Sequence, residues 1–252
     1  MPTPKRLLIL GGTTEAAALA AAAVERFGEQ LEVTTSLAGR LSSHRSLSGN
    51  VRVGGFGGVD GMAKALKDEG YALVIDATHP FAATISQHAY DACLIDEIPR
   101  LQVMRRPWTA DPSHPWIEAK DLDDAASLLP KIGRRVFLTI GRRGLEAFSK
   151  VKDFWFLVRL IEAPARPLPL PSHQIIAARP PHPLEEEIEL MKNHRIDLLI
   201  SKQSGGDVTE TKIAAANQLG IGIVMIRRPL PEPGPLAETV GEALGWLAEN
   251  LG

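Results

Sequence analysis

The sequence predicts an α/β fold built on parallel sheets, and two features indicate it. Short apolar runs bounded by glycine or polar residues alternate with longer amphipathic or alanine-rich stretches along the 252 residues, which is the pattern of βαβ units. The composition, 44% hydrophobic and 23% charged, is typical of a compact globular chain. A chain of this length forms one large α/β domain or two small ones, and we expect two.

The first half contains signals for five strands and three helices. They are expected at residues 6–10, 31–35, 51–53, 72–76 and 100–104 for the strands, and at 14–27, 60–69 and 81–96 for the helices. Asp60 is a suitable N-cap for the second helix and Gly70 a suitable stop. The segment RRPWTADPSHP (105–115) holds three prolines and no apolar periodicity. It is therefore expected to link two domains, 1–110 and 111–252.

The second half repeats the alternation. Strands are expected at 135–140, 155–160, 174–178, 198–201 and 222–226, and helices at 122–129, 183–193, 209–219 and 236–251. In an open parallel sheet, ligands bind beyond the carboxyl ends of the strands. The turns that follow the strands are therefore where binding residues are expected.

Charge and cysteine content exclude several classes of function. The formal net charge of −2 gives no general attraction to nucleic acid or to an anionic membrane, and neither is expected as a partner. Cys93 is the single cysteine, which rules out an intramolecular disulfide and every cysteine-based zinc pattern; we expect a buried thiol and a cytoplasmic location. No metal site, membrane span or signal for an oligomeric state is found.

The turn after the first strand, in LLILGGTTEA (7–16), is a candidate phosphate site. Two glycines allow a tight turn and the close approach of a phosphate, and the start of the next helix supplies free N–H groups. The G-x-G-x-x-G pattern is not met, although Ala16 is small enough for close packing where the third glycine would stand. An ordinary turn is the alternative. The predicted cofactor contacts are Gly11, Gly12, Thr13, Thr14 and Glu15.

The end of the second strand favours NADPH over NADH. NAD-binding folds usually place an acidic residue there for the ribose hydroxyls, but this sequence reads TTSLAGR (34–40). Ser36 and Arg40 can donate hydrogen bonds to a 2′-phosphate. Each hydrogen bond to a charged group is worth roughly 1.5–3 kcal/mol, or about 10- to 150-fold in affinity.

Three further turns carry polar side chains. In VIDATHPFA (74–82), Asp76 is expected to accept hydrogen bonds from loop amides, and His79 is a candidate proton donor or ligand contact, with a capping role as the alternative. In SKQSGG (201–206), a glycine-bearing turn with Lys202 suits a phosphate or carboxylate, although such turns also occur without one. The remaining candidates in these turns and in IGRRG (140–144) are Thr78, Gly141, Arg142, Arg143, Ser204 and Gly205.

Taken in order, these segments resemble the precorrin-6A reductase family of cobalamin biosynthesis. The resemblance covers nearly the whole chain and is carried by LILGGTTEA (8–16), TSLAGR (35–40), DATHPFA (76–82), PRLQVMRRPW (99–108), LTIGRRGL (138–145), RLIEAP (159–164), ISKQSGG (200–206), TETKIAAANQLGI (209–221) and VMIRRP (224–229).

The resemblance implies two Rossmann-like domains with NADPH and a tetrapyrrole in a cleft between them. It implies hydride transfer to C19 of the C18=C19 bond of precorrin-6A and a proton added at C18, without metal or flavin. We assign His79 and Lys202 as candidate catalytic residues and Arg105 and Arg143 as substrate contacts. Further cofactor contacts are expected from Thr78, Gly141, Arg142, Ser204 and Gly205. The basic residues suit either substrate carboxylates or cofactor phosphates.

Other functions stay open. One is a different NADPH-dependent reductase or epimerase; the short-chain dehydrogenase type is disfavoured because Tyr71 and Tyr90, the only tyrosines, form no Tyr-x-x-x-Lys pair. Another is a nucleotide-sensing or tetrapyrrole-carrying protein that binds NADPH and never oxidises it. Within the resemblance, the cobalt-bearing form of precorrin-6A is an alternative substrate.

Overall fold

The chain folds into two compact units, each built on one parallel sheet. The computed structural model describes residues 3–38, 47–129 and 133–252. The first unit comprises Met1–Arg105 and Pro229–Gly252, and the second comprises Arg106–Arg228. Each contains a six-stranded sheet in which every pairing is parallel. The predicted α/β class is confirmed.

The elements alternate along the described chain. The strands are β1 (Lys5–Leu10), β2 (Leu31–Leu37), β3 (Asn50–Val53), β4 (Tyr71–Asp76), β5 (Arg100–Val103), β6 (Ile117–Ala119), β7 (Arg135–Thr139), β8 (Trp155–Leu160), β9 (His173–Ala177), β10 (Leu198–Lys202), β11 (Gly222–Ile226) and β12 (Leu236–Ala237). The α-helices are α1 (Thr14–Phe27), α2 (Val59–Asp68), α3 (Ala83–Ile95), α4 (Leu122–Leu128), α5 (Leu184–Asn193), α6 (Thr211–Leu219) and α7 (Val240–Leu251). Two 3₁₀ helices cover Arg142–Phe148 and Asp207–Thr209.

Strand order reverses once in each sheet. The first sheet has the order β12-β5-β4-β1-β2-β3, and the second has β6-β11-β10-β7-β8-β9. The chain therefore leaves β1 and β4 in opposite directions across the first sheet, and it leaves β7 and β10 in opposite directions across the second. Such reversal points open a crevice at the carboxyl ends of the strands, and they position the site described below.

Side-chain alternation along β1 separates the two apolar layers of the first unit. Leu7 and Ile9 face one side, in a cluster with side chains of α1 and α7. Leu8 and Leu10 face the other, in a cluster with side chains of α2 and α3. Because a fully buried Leu or Ile contributes roughly 1.5–3 kcal/mol, a strand buried on both faces anchors the whole unit.

The C-terminal segment lies in the first unit, which differs from the predicted division at residue 110. The division falls at Arg105, and Pro229–Gly252 returns to the first unit. There Leu236 pairs with Gln102 and Ala237 with Val103, while α7 packs against α1. A two-residue strand after a proline-rich stretch is too short to show the alternation that predicts a strand. Its residues were therefore included in the predicted helix at 236–251, which begins four residues later in the structure.

Two local predictions also differ from the structure. The three-residue strand β6 was not predicted, since it is too short to show alternation. Gly58, with φ of 98°, occupies the N-cap position of α2, and Asp60 lies within the first turn of the helix. Gly70 follows this helix with φ of 66°, as expected of a helix stop. None of the helices in the described parts of the chain is long and apolar enough to cross a membrane.

Cys93 is predicted to be unreactive while the first unit stays folded. It is a residue of α3 and is 4% exposed, in the apolar cluster that α3 shares with α2 and β1, and burial raises the pKa of its thiol to about 12. Because the thiolate is the reactive form, we expect labelling by a thiol reagent at pH 8 to be about a thousandfold slower than for a free cysteine. Labelling in denaturant serves as the control, and a free-cysteine rate in the folded protein would contradict the packing.

Candidate functional site

The loops after β1 and β4 are joined at the point where the first sheet reverses. The amide of Ala77 donates to the carbonyl of Leu10 at 3.0 Å, and Thr13 Oγ1 donates to the carbonyl of Ala77 at 2.7 Å. A small cavity opens there, lined by Thr13, Glu15, Ala77, Thr78, Pro80, Val103 and Arg105. The structure thus brings Arg105, which the sequence assigned to the substrate, beside three residues assigned to the cofactor: Thr13, Glu15 and Thr78.

Both glycines in the turn after β1 are required by the local geometry of the backbone. A Cβ on Gly11 would lie 2.8 Å from Cγ2 of Thr35 on the neighbouring strand, and Gly12 has φ of +109°. Thr13 is the N-cap of α1, and its Oγ1 accepts from the amide of Ala16 at 3.1 Å. The amides at the start of the helix have no intrahelical partner. Gly12 and Thr14 are exposed, so the turn presents N–H groups and a positive helix end to solvent, as an anion site requires.

Glu15 and Arg105 form an ion pair beside this turn. Arg105 Nη1 lies 2.9 Å from Glu15 Oε1 and 3.2 Å from Oε2, and the side chains are 14% and 25% exposed. A carboxylate in the first turn of α1 would repel a bound phosphate, and the guanidinium offsets that charge. Sequence reasoning assigned Glu15 to the cofactor and Arg105 to the substrate, without a signal that they meet.

A second arginine, which sequence reasoning missed, lies at the ends of β2 and β3. The carbonyl of Ser36 accepts from the amide of Gly11 at 2.9 Å, so the end of β2 adjoins the glycine turn. Arg52 is the register partner of Ser36 on β3, with its Nη1 3.5 Å from Ser36 Oγ. In the sequence, Arg52 could have been selected as a basic residue near the end of a predicted strand, just before Gly54-Gly55. Arg40, the predicted partner of Ser36, lies outside the described residues.

The turn after β4 is ordered by Asp76, as the sequence predicted. Asp76 is 1% exposed, and its Oδ1 accepts from the amide and hydroxyl of Thr78 at 3.1 and 2.7 Å. His79 is half-buried, and its Nδ1 accepts from the amide of Phe81 at 3.2 Å. In the neutral imidazole the proton therefore resides on Nε2, which leaves His79 able to donate a proton from that nitrogen.

The reversal point of the second sheet is cationic. Gly141, with φ of 75°, leads from β7 into the 3₁₀ helix that begins with the exposed Arg142 and Arg143. Lys202 ends β10. Desolvation by burial, and then the positive charge of Arg143, lower the pKa of the Lys202 ammonium. Two neighbouring cations at the carboxyl ends of parallel strands favour binding of an anion there.

The turn after β10 is fixed against the segment that enters the second unit. Gly205 has φ of +68°, and a Cβ there would overlap the carbonyl oxygen of Arg106. The Gln203 side chain accepts from the Trp108 amide at 3.0 Å and donates to its carbonyl at 2.9 Å. The Trp108 indole donates to the carbonyl of Gly206 at 2.8 Å. Gln203 and Trp108 were missed, because their pairing depends on residues far apart in sequence.

The predicted site residues thus fall into two groups, one in each unit. The first unit holds Gly11, Gly12, Thr13, Thr14, Glu15, Ser36, Thr78, His79 and Arg105, and the second holds Gly141, Arg142, Arg143, Lys202, Ser204 and Gly205. Within residues 3–38, 47–129 and 133–252, no three His, Cys, Asp or Glu side chains are grouped so that they could hold a metal ion.

Comparison with known proteins gives a consistent result over the full length. Residues 6–248 match the family model described as precorrin-6x reductase CbiJ/CobK. A precorrin-6A reductase of Rhodococcus erythropolis is 48% identical over 244 residues, covering 96% of each chain. A cobalt-precorrin-6A reductase of Synechocystis is 30% identical, again over 96% of each. A solved structure titled CobK precorrin-6A reductase matches with a TM-score of 0.91 and 38% identity, covering 98% of this chain and 97% of that one. This chain therefore belongs to the precorrin-6x reductase family.

Proposed function

We propose that this chain uses NADPH to reduce the C18=C19 double bond of precorrin-6A in cobalamin biosynthesis. Bound NADPH would supply a hydride to C19, and a proton would be added at C18, so that the double bond and NADPH are consumed in equal amounts. Membership of a reductase family supports the reaction type. The observation that carries the cofactor assignment is the glycine turn and exposed helix start at the reversal point of the first sheet.

The first unit fits the pyrophosphate of a dinucleotide. Gly11 permits close approach to β2, Gly12 has φ of +109° with open space at its Cβ position, and Gly12 and Thr14 are exposed at the helix start. Thr14 carries a hydroxyl that can donate to the same phosphate, whereas the Thr13 hydroxyl already donates to the carbonyl of Ala77. The ion pair with Arg105 offsets the Glu15 charge, so the helix end stays electropositive.

The end of β2 supports NADPH as the specific cofactor. Ser36 is 7% exposed and lies beside Arg52 where a NAD-binding fold would carry an acid. A carboxylate at that position would repel a 2′-phosphate, whereas a hydroxyl and a guanidinium would donate to it.

The second unit would supply cations for a substrate that carries many carboxylates. Arg142 and Arg143 follow β7 and Lys202 ends β10, so these cations lie at the reversal point, where burial and the charge of Arg143 lower the pKa of Lys202. Arg142, together with Gly141, Ser204 and Gly205, was assigned to the cofactor from the sequence. Those assignments stay predictions.

Precorrin-6A is favoured over its cobalt-bearing form by similarity. The chain is 48% identical to the Rhodococcus erythropolis precorrin-6A reductase and 30% identical to the Synechocystis enzyme named for cobalt-precorrin-6A. Both relatives match over 96% of this chain, so the difference does not reflect a missing segment.

The reaction is tested by mixing the purified protein anaerobically with precorrin-6A and NADPH, with NADH in a parallel reaction. We expect NADPH absorbance to fall in equal stoichiometry with the change in the macrocycle spectrum, and NADH to be used poorly. Cobalt-precorrin-6A serves as the competing substrate. Binding of both molecules with nothing consumed would support a carrier and contradict the reductase proposal.

We expect His79 to act in proton transfer and Lys202 to act in substrate binding. General acids typically contribute 10²- to 10⁴-fold, so His79→Ala should lower kcat by about that range and change the alkaline limb of its pH profile. Lys202→Met should instead raise the KM for precorrin-6A by about 10- to 150-fold through a lost charged hydrogen bond. Near-normal turnover of His79→Ala with an unchanged pH profile would exclude His79 as the acid.

Glu15 and Arg105 give a paired test of the phosphate turn. Arg105→Ala leaves the Glu15 carboxylate unneutralised beside the turn, so the Kd for NADPH should rise about tenfold, the size of a close charge interaction at a partly buried site. Glu15→Gln combined with Arg105→Ala should restore most of the affinity. If the double variant binds as weakly as Arg105→Ala alone, Arg105 contacts the ligand directly and the neutralising role is wrong.

A further inference from the structure

We propose that Arg52 is the residue that selects NADPH over NADH, by binding the 2′-phosphate of the cofactor together with Ser36. The inference rests on the proposed binding of NADPH by the first unit and names the specificity-determining side chain of that site. Three observations carry it: the place of Arg52 in the sheet, the way its guanidinium is held, and the lack of a carboxylate partner for it among the residues that the structure describes.

Arg52 lies where the adenosine end of a dinucleotide would be placed relative to the glycine turn. Ser36 pairs with Leu10 on β1 and with Arg52 on β3, so the three strand ends lie side by side at the carboxyl edge. In dinucleotide-binding folds the ribose hydroxyls are recognised at the end of the second strand, and an arginine nearby accommodates a 2′-phosphate. The sequence did not predict that Arg52 lies beside Ser36, since the two residues are sixteen positions apart.

The guanidinium of Arg52 is held in one orientation. Its central carbon lies 3.8 Å from the centre of the Phe56 ring. Its Nη1 donates to the carbonyl of Gly54 at 2.8 Å, and its Nη2 donates to the carbonyl of Gly55 at 3.1 Å. A planar fork fixed by stacking and by two carbonyls has already lost much of its side-chain entropy before a ligand arrives.

Donors remain on Arg52 after these contacts. A guanidinium has five N–H groups, and the hydrogen bonds of Arg52 within the described chain go to Gly54, to Gly55 and, at 3.5 Å, to Ser36. Nη1 uses both of its N–H groups, on Gly54 and Ser36, and Nη2 uses one of its two, on Gly55. The N–H of Nε and the second N–H of Nη2 make none of these bonds. The Ser36 hydroxyl and the free N–H groups of Arg52 are therefore available to one anion.

Within residues 3–38, 47–129 and 133–252, no carboxylate offsets the charge of Arg52. Arg6, Arg105 and Arg159 are each paired with a glutamate, whereas no Asp or Glu pairs with Arg52 among the residues described. The stretch 39–46, which follows β2, contains no acidic residue. An arginine that is half-buried, oriented and unneutralised is suited to bind an anionic ligand, and a 2′-phosphate matches the fork in shape and charge.

The test compares binding of 2′,5′-ADP and 5′-AMP by calorimetry at constant salt. We expect the wild type to prefer 2′,5′-ADP. Arg52→Ala should weaken 2′,5′-ADP binding by about 10- to 150-fold and change 5′-AMP binding by less than about threefold. Arg52→Lys keeps the charge without the fork and should give an intermediate loss. In steady state, kcat/KM should fall for NADPH and stay near the wild-type value for NADH.

Arg26→Ala is the matched control. Arg26 also stacks on a phenylalanine, 5.2 Å from the centre of the Phe27 ring, but it lies in the last turn of α1. Gln30, just after that helix, accepts from the amide of Lys5 at the start of β1, which places Arg26 at the amino edge of the sheet. Its removal should affect neither ligand.

Three results would overturn the assignment. Equal weakening of both ligands would mean that Arg52 holds the adenosine or the loop rather than the 2′-phosphate. Unchanged binding of 2′,5′-ADP by folded Arg52→Ala and Arg52→Lys would mean that another residue selects the cofactor, with the NADPH proposal intact. A wild-type protein that does not prefer 2′,5′-ADP would contradict NADPH use itself.

Discussion

The close packing of Gly11 against β2 is the constraint on which the site in the first unit depends. The space available for a side chain at Gly11 is filled by the Cγ2 methyl of Thr35, and the Gly11 amide is bonded to the Ser36 carbonyl. These contacts hold the glycine turn against the end of β2. The phosphate turn and the residues at the end of β2 therefore share one edge, and Arg52 on β3 extends that edge by one strand.

The two acidic side chains near this edge are engaged within the fold, although Oδ2 of the buried Asp76 has no hydrogen-bond partner among the described residues. Asp76 accepts from Thr78 inside the fold, and Glu15 is paired with Arg105. Arg52, by contrast, is oriented by an aromatic ring and two carbonyls, none of which neutralises it. In the second unit, Arg143 and Lys202 lie near enough for one charge to lower the pKa of the other. An anion is the ligand that such an arrangement favours in each unit.

Sequence reasoning recovered what is local and strongly patterned. The periodicity of apolar residues predicted α1 and β8 at their observed bounds, and the turns after β1, β4, β7 and β10 were selected because ligands bind at the carboxyl ends of parallel strands. It could not assign β12 to the first sheet, since a two-residue strand pairs with a partner more than a hundred residues away. Three contacts could not be predicted either, because each joins residues that only the folded chain brings together. They are the ion pair of Glu15 with Arg105, the hydrogen bond of Gln203 with Trp108, and the pairing of Ser36 with Arg52.

A crystal structure of the protein with NADP⁺ bound would test the central claim most directly, because both units carry a glycine-bearing turn at a reversal point. We expect the pyrophosphate at the amides of Gly12, Thr13 and Thr14, at the start of α1. This expectation would be contradicted by a pyrophosphate at the turn formed by Ser204, Gly205 and Gly206, with the helix start of the first unit left to solvent.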